Sequence, residues 1–175
     1  VGGKLDINTV KVLNVETKTF YPDSLYPVHS VQAWDLESKG FLYAALQTDN
    51  TQSMELFRNI VGKYHQLGSE ATNDKVVLSS STHPELDIVP ANVLAVLYNL
   101  SPSPDNKYLT ITLPTGSFYT PATSLNNGPV MWTRLTKSND RISSLLLYNE
   151  NVYFAKDGKV LVSPLHSFSP TKARI

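Results

Sequence analysis

The feature that most constrains this chain is the stretch Pro129–Ser163, where four apolar runs are cut by three turn signals. The runs are PVMWTRLT, RISSLLLY, VYFA and KVLVS, and the breaks are KSND, NEN and KDG. In the first run Val130, Trp132 and Arg134 alternate with Met131, Thr133 and Leu135. In the second, Ile142, Leu146 and Tyr148 oppose Leu145 and Leu147. A period of two bounded by Asn/Asp/Gly clusters predicts antiparallel strands joined by tight turns. Asp157-Gly158 supplies residues that tolerate the positive φ of a short hairpin. The stretch therefore predicts a four-strand β-meander.

Elsewhere the pattern is also mainly β. Thr9–Val15 and Lys107–Leu113 alternate as strands, and residues 29–36 meet 41–48 across Glu37-Ser38-Lys39-Gly40 as a hairpin. Tyr21–Pro27 reads as a proline-bracketed loop, residues 75–81 as a strand end, and Ser101–Asn106 as a loop. Residues 92–100 are apolar on both faces, and periodicity does not decide between buried strand and short helix. One amphipathic helix is expected at 53–67, because Met54, Phe57, Ile60, Val61, Tyr64 and Leu67 recur at spacings of three and four. Thr51 or Ser53 would cap it, and Gly68 would stop it. No internal repeat is visible. The expected architecture is a mainly β (marginally α+β) sandwich or barrel-like domain over 1–175, excised from a longer polypeptide, since VGGKLD has neither initiator Met nor signal pattern.

Chemistry is sparse. Lys plus Arg equal Asp plus Glu, 15 against 15, so no net charge draws the chain to nucleic acid or anionic membrane. There is no cysteine for disulfides or thiolate sites, and no apolar run of the ~20 residues that a spanning helix needs. His29, His65, His83 and His166 show no metal-ligand spacing. Ser79–His83 lacks the GxSxG turn that lifts a nucleophile out of a sheet, and no glycine-rich phosphate loop is present. The expectation is a non-enzyme without metal or cofactor.

What remains is recognition by neutral and aromatic groups. Rings stack on the apolar faces of sugars while Asn and Arg read hydroxyls at the rim. Trp132 and Arg134 share a face if the strand is regular, Asn126 and Asn127 lie just before them, and Tyr119 just before that loop. With Tyr148 these form the candidate glycan site; Trp34 and Tyr43 are a second aromatic pair.

The order of features in Met131-Trp132-Thr133, Leu147–Phe154 and Gly158-Lys159-Val160 resembles the attachment head of the rotavirus spike protein. Lys172-Ala173-Arg174-Ile175 suits the trypsin-cut junction of that family, and the early helix places the likeness nearer a divergent group such as group B. The resemblance implies a viral, non-enzymatic, lectin-like attachment domain at the virion surface (outer capsid). Its partners would be a host cell-surface glycan and other segments of the parent spike. The competing expectation is a capsid, coat or phage tail structural subunit.

Overall fold

The computed structural model describes residues 7–35, 37–51, 53, 56, 60–88 and 100–171. The fold is mainly antiparallel β, as the alternation predicts. The chain divides into two compact units, Val1–Pro84 with Ile88–Tyr98, and Glu85–Asp87 with Asn99–Ile175.

The first unit holds a five-stranded sheet in sequential order: β1 (Asn8–Asn14), β2 (Thr19–Trp34), β3 (Gly40–Ala45), β4 (Val61–Gln66) and β5 (Lys75–Leu78). β3 is central and buried throughout, so both of its faces are apolar. Phe41, Tyr43 and Ala45 point to one face, where they meet Val12, Leu25 and Val28 in a core cluster. The hairpin at Glu37–Gly40 forms as expected. Asp35 closes it by accepting the Lys39 N–H on Oδ1 at 2.8 Å, while Ser38 takes a φ of 54°.

Two expectations for this unit change. The segment Tyr21–Pro27 is not a loop, since β2 runs through both prolines. Pro22 and Pro27 are tolerated because they fall where the β1–β2 register shifts, Pro22 between Phe20 and Ser24 and Pro27 between Leu25 and Val28. The helix at 53–67 gives way to a strand over its last part, since Val61–Gln66 pairs with β3 along its whole length, from Gly40↔Gln66 to Ala45↔Val61. Met54 and Phe57 of the predicted stripe lie outside the described residues, as do 92–99 of the undecided run. Gly40 explains part of the strand choice: a Cβ there would sit 2.3 Å from the His65 carbonyl oxygen, so β3 and β4 approach closely.

The second unit holds two sheets. One runs β6 (Leu100–Pro102), β7 (Tyr108–Leu113), β8 (Gly116–Pro121) and β9 (Thr133–Arg134); the other runs β10 (Ile142–Tyr148), β11 (Asn151–Lys156) and β12 (Lys159–Pro164). The predicted four-strand meander is thus split. Its first run supplies β9, which pairs with β8 through Phe118↔Arg134 and Tyr119↔Thr133. The reason lies in KSND, which forms a 3-10 turn rather than a hairpin. Asp140 accepts the Lys137 N–H at 2.7 Å, and Arg141 then takes a left-handed φ of 57° that sends the chain into a new sheet. The other two breaks are two-residue hairpins with positive φ at both positions: Asn149 and Glu150, then Asp157 and Gly158.

A core cluster of Leu147, Val152 and Phe154 on the β10–β12 sheet packs against Tyr108 and Tyr119 of the neighbouring sheet and Leu135 just after it. Polar bonds add to this contact. Asp105 accepts the Asn149 N–H at 2.8 Å, and Tyr108 donates its hydroxyl to Glu150 at 2.6 Å.

The two sheets also repeat one another. Tyr108–Leu113, Gly116–Pro121 and the 3-10 turn starting at Ala122 recur as Asn151–Lys156, Lys159–Pro164 and the turn starting at Leu165, each 43 residues later (151 less 108, 159 less 116, 165 less 122). Register is conserved with spacing, since Tyr108↔Pro121 matches Asn151↔Pro164. Pro121 and Pro164 precede their turns with ψ of 134° and 137°. The repeat escapes the sequence because its shared property is burial rather than identity: Leu109 and Val152, Ile111 and Phe154, Thr120 and Ser163 are buried in each copy.

Candidate functional site

A buried, hydrogen-bonded polar cluster lies in the first unit, around His65 of β4. Its side chain is fully buried, as are those of Asp23 on β2 and Asp74 just before β5. His65 Nε2 lies 2.8 Å from Asp23 Oδ1, and Nδ1 lies 2.7 Å from Asp74 Oδ1. Both ring nitrogens are thus engaged by carboxyl groups, one on each side of the ring. Both carboxyl groups are tied further: Tyr43 donates to Asp74 Oδ2 at 2.6 Å, and the Gly68 N–H donates at 2.6 Å to the same Asp23 Oδ1 that faces His65. Asp23 Oδ2 is buried with no hydrogen-bond partner among the described residues.

Burial alone would raise the Asp23 carboxyl, but the hydrogen bonds from His65 and Gly68 outweigh it and hold Asp23 below the ordinary carboxylate value. Burial first, and the bond to Asp74 second, push the Tyr43 phenol up. Chemically this cluster is a staple across β2, β4 and the approach to β5. A general base must turn one ring nitrogen to a nucleophile or a water, and here both are occupied by carboxylates. Sequence reasoning missed it. His65 stands 42 residues from Asp23 and 9 from Asp74, and no local spacing signals that meeting.

The predicted glycan residues are distributed differently from expectation. Trp132 is buried at 6% exposure, and its backbone N–H faces Glu85 Oε1 at 3.4 Å, so its ring offers no open platform. β9 contains only Thr133 and Arg134, so the period-two inference from Arg134 back to Trp132 does not apply. Arg134 is exposed, with its guanidinium 4.6 Å over the Phe118 ring and a bond to the Thr115 carbonyl at 2.9 Å. Asn126, Asn127 and Tyr148 are exposed; Tyr119 is half-buried, edge-on to Tyr108 at 5.5 Å. In the second pair, Trp34 is exposed against Phe41 while Tyr43 is core. Among the described residues no group of three or more His, Cys, Asp or Glu is placed to hold a metal ion.

The sequence matches the family model described as the prolyl oligopeptidase N-terminal beta-propeller domain, over residues 3–164. No curated protein matches it. Among solved structures, it is similar to one from a study of two prolyl endopeptidases and the role of inter-domain dynamics in their catalysis and specificity. There the identity is 18%, the TM-score 0.65, and the match covers 95% of this chain and 24% of that one. Prolyl oligopeptidase B from Galerina marginata, bound to a 25mer macrocyclization substrate, aligns at 16% identity and a TM-score of 0.55, over 86% of this chain and 22% of that one. Oligopeptidase B from Leishmania major aligns at 12% identity and a TM-score of 0.55, over 94% and 22%. At these identities the likeness establishes fold. The chain spans about a quarter of the length of the structures it matches.

These findings overturn the resemblance to a rotavirus spike head. With it go the viral attachment function, the coat-subunit alternative, the cell-surface glycan and parent-spike partners and the virion-surface location. The expectation of a chain unconnected with catalysis falls too, because the matched family is named for a peptidase. The resemblance misled because it rested on a Trp-bearing run and a Tyr-bearing hairpin, features that any packed β-sheet pair supplies.

Proposed function

The chain belongs to the family of prolyl oligopeptidase N-terminal β-propeller domains, and on that premise we propose that it is the propeller portion of a peptidase. In this reading it is part of a longer polypeptide whose other portion cleaves peptides, and it bears on which peptides are cleaved rather than on bond breaking. The observation that carries the proposal is the family match over residues 3–164, nearly the whole chain. Support comes from the similar prolyl endopeptidases, whose study ties inter-domain dynamics to catalysis and specificity. The chemistry of His65 agrees: the most elaborate polar cluster among the described residues is closed on itself and serves the fold.

The test is hydrolysis of an internally quenched peptide with a single internal proline. The polypeptide that carries this chain should cleave it, and the 175-residue segment alone should not. Absence of cleavage by the whole polypeptide, or cleavage by the segment alone, would overturn the proposal.

A further inference from the structure

The turn between β10 and β11 holds Asn149 and Glu150 in the left-handed region, with φ of 47° and 58°. Asparagine tolerates that region; a longer side chain such as glutamate is disfavoured there, and glycine is the usual choice at the second position. The next turn of the same sheet follows the preference, with Asp157 at 50° and Gly158 at 74°. Backbone strain of this kind persists only where the surroundings hold it in place. Here they belong to the neighbouring sheet. Glu150 Oε2 accepts the Tyr108 hydroxyl at 2.6 Å, and Oε1 accepts from Lys107 Nζ at 3.3 Å. The Asn149 N–H donates to Asp105 Oδ2 at 2.8 Å. Asp105 is set for this bond by the Ser103 hydroxyl, which donates to its Oδ1 at 2.7 Å, while the Ser103 N–H donates to the Tyr108 carbonyl at 2.7 Å. The Glu150 carbonyl also accepts the Leu165 N–H at 2.8 Å, so the same turn grips the chain as it leaves β12.

We propose that Glu150 is a releasable latch between the two sheets. Closed, it holds the β10–β11 turn against residues 103–108; released, it lets that end of the pair part while the apolar contact beneath stays packed. The glycine that the turn itself favours has no side chain with which to do this, which accounts for a glutamate in a strained position. Release is possible because the bonds are exposed. The Lys107 and Glu150 side chains are 50% and 57% exposed, so water replaces their bonds at little cost. Leu147, Val152 and Phe154 are 2% exposed or less, and this cluster, packed against Tyr119, is the hinge about which the end opens. The inference concerns the two sheets alone and does not depend on peptidase activity.

The experiment is amide hydrogen exchange on the whole polypeptide, comparing wild type with Glu150→Gly, Glu150→Asn and Glu150→Gln. The Asn149 and Lys107 amides both donate to Asp105 across or beside the latch. In Glu150→Gly their exchange should quicken about tenfold, while the β10 and β11 amides hold or slow because the turn itself is relieved. Glu150→Asn suits the left-handed position but is one methylene too short, and should behave as Glu150→Gly does. Glu150→Gln keeps an acceptor within reach of the Tyr108 hydroxyl and should recover most of the protection. Unchanged exchange at Asn149 and Lys107 in the Gly and Asn variants would overturn the proposal. An equal rise across β7, β8, β10 and β11 would also overturn it, since that is the sign of a contact that merely stabilises. A rise confined to β10 and β11, or a Gln variant no better than Gly, would do the same. Peptide cleavage is measured separately, and its absence would leave these outcomes unaffected.

Discussion

Replacing His65 by Leu tests the staple in the first unit. The change roughly keeps side-chain volume but leaves two buried carboxyl groups without the imidazole that bonds to both. The His65 side chain is 0% exposed, and those of Asp23 and Asp74 are 1% and 0%, so solvent screening does not discount the interaction. Removing one partner of such a buried arrangement costs roughly 3–5 kcal/mol. At about 1.36 kcal/mol per decade, that is a rise of roughly two to four decades in exchange of the slowest β3 and β4 amides. Asp23→Asn should cost less, because its side-chain oxygen still accepts from His65 and Gly68. The acid side supplies a second check. Asp23 is depressed in the folded state, so its contribution is full above the ordinary carboxylate value of 3.8 and is lost as pH falls through the lower folded value. Wild-type protection should therefore fall away below that range, and Asp23→Asn should lack this part of the decline. A loss under about 1 kcal/mol in His65→Leu would refute the reasoning. It would mean that the carboxylates are satisfied without the imidazole.

Three further outcomes are expected. Trp132→Ala should lower stability by ~3–5 kcal/mol, the cost of truncating a buried aromatic, whereas an unchanged melting temperature would place the indole at the surface. Gly116→Ala should release the segment following β9. Gly116 has a φ of 140°, and a Cβ would lie 2.0 Å from the Thr136 carbonyl oxygen, so protection of the Leu135 amide should collapse; retained protection would show that the backbone adjusts. Burial, then the bond to Glu150, pushes the Tyr108 phenol up to about 12; Glu150→Gln should bring its titration, followed by tyrosine ring carbon NMR, part of the way back toward 10.0. No movement would mean that burial alone sets it.

The legible parts of this fold were those fixed by neighbours in sequence. Alternation revealed β1, β7 and β10–β12, and the Asp157-Gly158 and Glu37–Gly40 turns were read from residue types that tolerate positive φ. The helix at 53–67 misled because Ile60, Val61, Tyr64 and Leu67 satisfy a helical period while the strand buries residues that look polar or empty, namely His65 and Gly62. His65 can be buried because Asp23 and Asp74 arrive from other strands, and that compensation is invisible locally. The same holds for the predicted site. Exposure of Asn126, Asn127 and Arg134 was readable from polarity, but Trp132 lies before the two-residue strand β9, so the alternation that linked it to Arg134 does not reach it. The 43-residue repeat was hidden for a related reason, since its matched positions share burial rather than letters.

That repeat also fixes the increments by which this region can change length. Within Tyr108–Ser167, a strand lengthened or shortened by one residue turns its buried positions outward, so single-residue changes belong in the turns. Duplication or loss of a whole 43-residue period would instead return the chain to the same phase, with each sheet still meeting a neighbour of the same design. A survey of natural length variants should then find two populations: small changes confined to turns, and rare large ones clustered near whole periods.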